Sequence, residues 1–296
     1  MSGNNVVESL TERKNVIVNH AEEAILNKMI NILLGIQDKV SRNAWTKLLR
    51  IAEGMDRDRN YAPAINAVRD AFDNNHPYVQ FLEIVAKKSP QCRKKFISNF
   101  LLNAVFRGNH KRQEFSHKYN TSKPFFFVIS PSMRCNLHCL GCYAGNYPQK
   151  DKLSYETIDL ILKDAKIMGI YMVTVSGGEP FFREDLLDLF AIRNDIYFQV
   201  FTNGTLIDST LAKKISQLGN IAPVISCEGF EEETDHRRGR GTFKKICQAM
   251  DNLKEADIIK KHMWPLTLMP PRYPESLVVC LVDTFCSVRD YVRNRV

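Results

Sequence analysis

Apolar residues in the first part of the chain recur at helical spacing. Segments 24–34, 45–52 and 96–105 place hydrophobic side chains every three or four positions, which is the period of an amphipathic α-helix. Turn-forming residues interrupt the pattern at Gly54, at Pro77 and at Pro90. The pattern predicts an α-helical N-terminal domain over residues 1–120.

A second pattern begins near residue 125, where short apolar runs alternate with amphipathic segments. Runs rich in β-branched and aromatic residues predict buried strands at 125–129, 171–175, 197–201 and 222–226. The segments between and after them predict helices at 155–168, 183–191, 208–218 and 242–256, with Ser154 and Asp208 in position to cap two of these. Strands that alternate with helices favour a parallel sheet. The fold class expected for residues 121–257 is therefore α/β.

The strand and helix pattern stops after residue 257. Residues 258–296 contain a proline-rich stretch through Pro265, Pro270, Pro271 and Pro274, and they are predicted to be an atypical C-terminal tail. Two interpretations are open. Either the protein is a short variant whose sheet is completed by a partner, or a truncation or frame shift has replaced its last strands. The abrupt loss of pattern favours the second.

Composition and cysteine usage indicate the cellular compartment in which the protein is expected. The chain has 296 residues, 44% of them hydrophobic, which is ordinary for a soluble globular protein. No apolar run approaches the roughly 18 residues of a membrane span, and the polar first residues do not form a secretory signal. Three of the eight cysteines lie within one short segment. That clustering indicates metal binding in a reducing cytoplasm rather than a disulfide framework.

Charge is uneven along the chain. The net charge is +8, and much of the excess lies between Arg93 and Lys123, in a stretch predicted to be a solvated helix face and linker. Because no nucleic-acid-binding motif accompanies it, a nucleic-acid partner is not expected. The acidic run from Glu231 to Asp235 is predicted to be a solvated loop.

Cys135, Cys139 and Cys142 follow the first predicted strand in a C-x-x-x-C-x-x-C arrangement. Thiolates this close together can converge on one metal centre. A cubane iron–sulfur cluster normally takes four cysteine ligands, so three cysteines leave one iron open for substrate chemistry. The spacing alone leaves two alternatives open, which are a zinc site that includes His138 and ordinary buried thiols.

A second motif, Gly177-Gly178-Glu179-Pro180, comes directly after the second predicted strand. Two adjacent glycines let the backbone turn sharply and come close to a ligand. Glu179 adds a carboxylate at the same strand end. A single Gly-Gly-Glu-Pro segment is a turn in most proteins, so the motif gains its meaning from the cysteines before it.

Together the two motifs resemble the radical S-adenosylmethionine (radical SAM) superfamily. The resemblance implies a partial (β/α)6 barrel in which Cys135, Cys139 and Cys142 bind a [4Fe–4S] cluster and the amino and carboxylate groups of SAM chelate the open iron. Further positions at successive strand ends match the family's SAM-binding segments. The residues implied to contact SAM are Gly177, Gly178, Glu179, Asn203, Ser226, Glu228 and Arg238. Arg237 and Arg240 are alternatives to Arg238, because the basic residues of this segment lie close together.

One position departs from the family pattern. Many members carry an aromatic residue immediately before the third cysteine, where this chain has Gly141. Tyr143 follows that cysteine instead. It either takes the place of the aromatic residue beside the adenine or packs on the barrel rim.

The function implied by the resemblance is reductive cleavage of SAM to a 5′-deoxyadenosyl radical, which abstracts hydrogen from a substrate. A flavodoxin or ferredoxin is implied as the one-electron donor. The motifs do not determine whether the substrate is a small molecule or a peptide, because the family shares its cofactor site and differs beyond it. The alternative is a non-catalytic scaffold protein with a zinc or vestigial cluster site.

Overall fold

A computed structural model of the chain describes residues 87–121, 124–147 and 152–258, with scattered positions between 46 and 85. Most of the helices predicted before residue 85, and the predicted tail beyond residue 258, lie outside the described residues. The chain divides into two compact units, Met1–Lys87 and Lys88–Val296. The predicted boundary at residue 120 lies inside the second unit, which carries all of the elements discussed below.

The centre of the second unit is a parallel sheet. Its strands are β1 (Phe126–Ile129), β2 (Met172–Val175), β3 (Tyr197–Thr202) and β4 (Ile221–Ile225). They lie in the order β1-β2-β3-β4, and every neighbouring pair is parallel. Each strand falls within one residue of its predicted position at either end, and the α/β fold class is confirmed.

Helices precede and connect the strands. In chain order they are α1 (Pro90–Lys95), a π-helix (Phe96–Arg107), α2 (Gly108–Tyr119), α3 (Tyr155–Ile167), α4 (Asp185–Ile192), α5 (Ser209–Leu218), α6 (Glu231–Arg238) and α7 (Thr242–Glu255). Both predicted caps are present. Ser154 Oγ accepts the Thr157 N–H at 3.1 Å, and Asp208 Oδ1 accepts the Leu211 N–H at 2.7 Å.

Apolar layers cover both faces of the sheet. Phe190 of α4 packs on Phe198 of β3 with ring centroids 4.3 Å apart. Phe96 and Phe100 of the π-helix each lie 5.9 Å from the ring of Tyr197. Because adjacent residues of a strand point to opposite faces, the π-helix and α4 pack on opposite sides of β3. The helices just before β1 therefore pack on the sheet itself.

Basic residues of this helical stretch are used as internal contacts. Arg112 is 6% exposed and donates from Nη1 to the carbonyl oxygens of Ala104 and Gly169, at 3.0 and 2.8 Å. Its burial lowers the pKa of the guanidinium. Lys95 donates to the Asn194 carbonyl at 2.7 Å. For Arg112 the prediction of a solvated face is wrong, because its guanidinium is buried and donates to carbonyl groups of the sheet unit, whereas Lys95 stays partly exposed.

The prediction of a loop for the acidic run from Glu231 to Asp235 is also wrong. These residues form part of α6. Glu233 Oε2 accepts the Phe230 N–H at 3.1 Å and closes the first turn. The Asp235 carboxylate accepts the N–H groups of Phe243 and Gly241, at 2.8 and 2.5 Å. These bonds lower the pKa of Asp235. The result is a fixed connection from α6 to the start of α7.

Among the described residues, no helix is both long enough and apolar enough to cross a membrane.

Candidate active site

The segment that leads from β1 to the cysteines runs beside the Gly-Gly turn after β2. The Ser176 N–H donates to Ile129 O at 2.9 Å, the Gly178 N–H to Ser132 O at 3.0 Å and the Glu179 N–H to Arg134 O at 2.9 Å. These bonds continue the parallel pairing of β1 and β2 beyond the ends of both strands. They place the cysteine loop, residues 135–142, at the carboxyl edge of the sheet, where open α/β sheets bind ligands.

The two glycines are needed for this close approach. A Cβ atom on Gly178 would lie 2.1 Å from the Arg134 carbonyl oxygen, and one on Gly177 would lie 2.4 Å from Ser132 O. Gly177 also has a φ of +109°, a conformation that favours glycine. We expected these glycines to admit a ligand. The structure shows that they first admit the backbone of the segment that carries Cys135.

The three thiols of the cysteine loop are half-buried, and none is in a disulfide among the described residues. Burial raises the pKa of Cys135 and of Cys139, and each of these pKa values is raised further by the neighbouring loop thiols. The nearby guanidinium groups of Arg238 and Arg237 act in the opposite direction on Cys139. A positive charge therefore lies near Cys139 and favours the ionised form of that thiol.

A single metal ion does not fit this arrangement. Within the described part of the chain, no three histidine, cysteine or acidic side chains surround one ion position. Around one Zn²⁺ the ligating atoms lie about 4 Å from one another, whereas the cysteines of a cubane bind separate irons and lie further apart. His138, the candidate fourth zinc ligand, is exposed. The zinc interpretation is therefore not favoured.

Glu179 faces inward rather than into the cleft. The residue is 3% exposed. Its Oε1 accepts from Thr202 Oγ1 at 2.8 Å and from the Phe181 N–H at 3.1 Å, and its Oε2 accepts the Asn203 N–H at 2.7 Å. Burial raises the pKa of the carboxyl group, and these donors oppose the rise. The side chain thus ties the turn after β2 to the end of β3.

Asn203 lies at the end of β3 and contacts the cysteine loop. Its Nδ2 donates to Asn136 Oδ1 at 2.9 Å and lies 3.7 Å from Cys135 Sγ. Its Oδ1 accepts from the N–H and the hydroxyl of Thr205, at 2.9 and 2.7 Å. A direct bond from Asn136 Nδ2 to Thr205 Oγ1, at 2.8 Å, closes the network. The first half of the cysteine loop is therefore held by the β3 end.

Ser226 and Glu228 follow β4, as the sequence places them. Ser226 is half-buried, and its N–H donates to Thr202 O at 2.8 Å. Glu228 pairs with two adjacent arginines of α6. Its Oε1 accepts from Nε and Nη2 of Arg238, at 3.1 and 2.5 Å, and its Oε2 lies 2.7 Å from Arg237 Nη1. Glu228 thus holds the arginine that was expected to reach the SAM carboxylate.

Tyr143 lies against the Gly-Gly turn. Its hydroxyl donates to the Gly177 carbonyl at 3.2 Å and lies 3.3 Å from Ser176 Oγ, while the residue is 52% exposed. The ring is therefore anchored at its tip and open along its face.

Sequence reasoning missed the residues that support the cysteine loop from outside the motifs. Asn136 and Thr205 join the loop to the end of β3, and Arg237 joins it to α6. The sequence signal for the Arg237 contact was the pair of adjacent arginines, Arg237 and Arg238, that follows the acidic run. The partners lie far apart in the chain, so no local pattern links them.

Parallel strands with the candidate residues gathered at their carboxyl ends define an α/β protein with its site at the sheet edge. A model of the Radical SAM superfamily matches residues 129–277, half of the 296-residue chain. The chain belongs to the radical SAM superfamily. The predicted family is confirmed, and so are the cofactors predicted with it, because this family uses a [4Fe–4S] cluster and SAM.

Individual relatives are more distant. The chain is 32% identical over 146 residues to Fe-coproporphyrin III synthase of Methanosarcina barkeri, covering 48% of this chain and 37% of that protein. It is 31% identical over 139 residues to the sporulation killing factor maturation protein SkfB of Bacillus subtilis, covering 46% and 34%. A crystal structure of Streptococcus suis SuiB bound to SAM aligns at 24% identity with a TM-score of 0.43, covering 51% of this chain and 36% of that one. The chain thus spans little more than a third of the length of these two curated relatives.

Proposed function

We propose that this chain is a radical SAM enzyme that holds its [4Fe–4S] cluster with Cys135, Cys139 and Cys142. The observation that carries the proposal is the presence of three half-buried thiols on one loop of the described structure, none of them in a disulfide. The loop lies at the carboxyl edge of a parallel sheet, where its backbone is fixed by the turn after β2.

The surroundings of the thiols suit iron–sulfur ligation. Cluster ligands bind as thiolates, and groups that donate to a thiolate or lie near it with positive charge favour that form. The Leu137 N–H lies 3.4 Å from Cys135 Sγ, and Asn203 Nδ2 approaches the same sulfur. Arg237 and Arg238 act on Cys139. Hydrogen bonds and nearby charge of this kind also tune the potential of a cluster.

When bound, the cluster and SAM together supply one-electron cleavage of SAM and a 5′-deoxyadenosyl radical that abstracts hydrogen from the substrate. The protein's part is to bind, orient and exclude water. Among the SAM-facing candidates, we assign direct contacts to the Gly177–Gly178 backbone, to Ser226 and to Arg238. We assign the open face of Tyr143 to the adenine ring.

Three other candidates act through their neighbours in this proposal. Glu228 binds Nε and Nη2 of Arg238, and no hydrogen bond from Arg238 Nη1 to another described residue is seen. That nitrogen therefore remains for the SAM carboxylate. Glu179 holds the turn after β2, and Asn203 holds Cys135 and its neighbour Asn136.

The substrate is proposed only by class, as a small molecule or a peptide. Two of the relatives that the chain matches are named as an Fe-coproporphyrin III synthase and a maturation protein, and these names point to different substrates. A flavodoxin or ferredoxin is the proposed electron donor.

The decisive experiment measures 5′-deoxyadenosine after anaerobic reconstitution with iron and sulfide and addition of dithionite and SAM. Cys139→Ala is expected to reduce its formation to background, because one of three cluster ligands is lost. The matched control is Cys247→Ala, which removes a half-buried cysteine of α7 outside the cysteine loop. This control is expected to keep the activity.

Two results would contradict the proposal. One is a wild-type protein that takes up zinc, remains colourless and forms no 5′-deoxyadenosine. The other is equal activity of Cys139→Ala and Cys247→Ala. The first result would favour the non-catalytic scaffold.

A further inference from the structure

The second half of the cysteine loop is bound to α6 by a reciprocal pair of hydrogen bonds. The Leu140 N–H donates to the Arg237 carbonyl at 2.8 Å, and Arg237 Nε donates to the Leu140 carbonyl at 3.2 Å. Leu140 lies between Cys139 and Cys142 and its side chain is exposed, so apolar packing contributes little to its position. The two bonds to Arg237 therefore fix the backbone that joins two of the proposed cluster ligands.

The arginine is itself fixed from the other side. Arg237 Nη1 lies 2.7 Å from Glu228 Oε2, and the Glu228 side chain is 11% exposed. The Glu228 N–H donates to Thr234 Oγ1 at 3.3 Å, and Thr234 is buried in α6. Glu228 thus connects the end of β4 to α6 through its backbone and through its carboxylate. Arg237 extends this connection to the cysteine loop.

Only an arginine can make both contacts at once. The guanidinium presents several N–H donors in a rigid planar fork, so that Nε can serve Leu140 while Nη1 serves Glu228. A lysine keeps the charge but has a single flexible ammonium group. The site therefore depends on the shape of the Arg237 side chain as well as on its charge.

We propose that Arg237 is a positioning residue that holds the Cys139–Cys142 half of the cysteine loop in the geometry that retains the cluster. The proposal deepens the proposed function and rests on it where the cluster is concerned. Arg237 acts on the loop backbone, whereas Arg238, the adjacent residue, is the one assigned to SAM. Glu228 thus binds both arginines, with Oε2 next to Arg237 and Oε1 next to Arg238.

The test compares Arg237→Lys and Arg237→Gln with wild type and with Arg240→Gln. Arg240 is exposed and lies close to Arg237 in sequence, so its loss changes the charge by the same amount. The first readout is hydrogen exchange at the Leu140 amide, measured on the full-length chain before and after reconstitution. The second is the rate at which a chelator removes iron from the reconstituted protein, and the third is the affinity for SAM.

Both Arg237 variants are expected to speed exchange at Leu140 roughly five- to tenfold, the change that follows from losing one hydrogen bond of ordinary net strength, because the Arg237–Leu140 bond is exposed to solvent. Iron release is expected to accelerate to a similar degree. Arg240→Gln is expected to match wild type in hydrogen exchange and in iron release. The Phe243 amide, which Asp235 binds, serves as an internal reference for α6 and is expected to stay protected in every variant.

Three results would overturn the proposal. The first is Leu140 exchange that stays at the wild-type rate in both Arg237 variants. The second is loss of protection at Phe243 together with Leu140, which would mean that the substitutions simply unfold α6. The third is a weaker SAM affinity with unchanged iron release, which would make Arg237 a SAM ligand. If no variant, including wild type, takes up a cluster, the proposed function fails while exchange at Leu140 still tests the positioning.

Discussion

The substitution Gly178→Ala tests whether the turn after β2 positions the cysteine loop. The new Cβ would lie 2.1 Å from Arg134 O and 2.6 Å from Met133 O. Both are backbone atoms, which cannot rotate away as a flexible side chain can. Since heavy atoms settle at a separation of roughly 3.5 Å, the turn or the segment before Cys135 must move by on the order of 1 Å.

The cost of that movement follows from the contacts that it strains. The Gly178 N–H bond to Ser132 O and the Glu179 N–H bond to Arg134 O join the same two segments. Each backbone bond contributes about 0.5–1.5 kcal/mol net, and overpacking of a filled site costs about 1–3 kcal/mol. Gly178→Ala is therefore expected to lower the free energy of unfolding by about 2–6 kcal/mol.

Gly145→Ala is the matched control. A Cβ at Gly145 would have no heavy-atom neighbour within 4 Å, and the residue lies in the same region, three positions beyond Cys142. The assays are urea denaturation of the chain and iron content after anaerobic reconstitution. Gly178→Ala is expected to be low in both, and Gly145→Ala to match wild type. Equal stability and equal iron content in the two variants would refute the reasoning about the turn.

Two further predictions concern charged side chains. Glu179→Gln replaces one carboxylate oxygen with an amide nitrogen, which cannot accept a hydrogen bond. In the less costly orientation the amide oxygen accepts the Asn203 N–H and the Phe181 N–H loses its acceptor. The variant is therefore expected to be less stable by about 1–3 kcal/mol. Because burial raises the folded-state pKa of Glu179, the wild type loses stability as pH rises above the unfolded value of about 4.3. The variant's deficit should therefore shrink in denaturation curves as pH rises above about 4.3, and a deficit that grows would contradict the assignment. Asp159 has a pKa lowered by Lys163 and Arg193, so Asp159→Asn is expected to cost about 0.5–1 kcal/mol near neutral pH. That cost should disappear as pH falls below about 4, and a cost that persists in acid would argue against the ion pair.

Periodicity and motif spacing were sufficient for the four strands and for helices α3, α4, α5 and α7 of the sheet unit. The four strands, the caps at Ser154 and Asp208 and the parallel order all followed from patterns within short windows of sequence. The family followed from the cysteine spacing with the Gly-Gly-Glu-Pro motif, and the comparison confirmed it. These features are local, because a strand or a metal-binding loop is specified mainly by residues close together in the chain.

The partners of the individual site residues were decided by the tertiary structure. Sequence placed Glu179 and Glu228 among the SAM contacts, whereas the fold directs one carboxylate to the end of β3 and the other to two arginines. It also turned Arg112 from a presumed surface charge into a buried donor to Gly169. Such contacts join residues between nine and 57 positions apart, and the choice among many possible partners depends on how helices and strands pack. A one-dimensional pattern shows that a charged side chain needs a partner, and only the packed structure brings a particular partner within hydrogen-bonding distance.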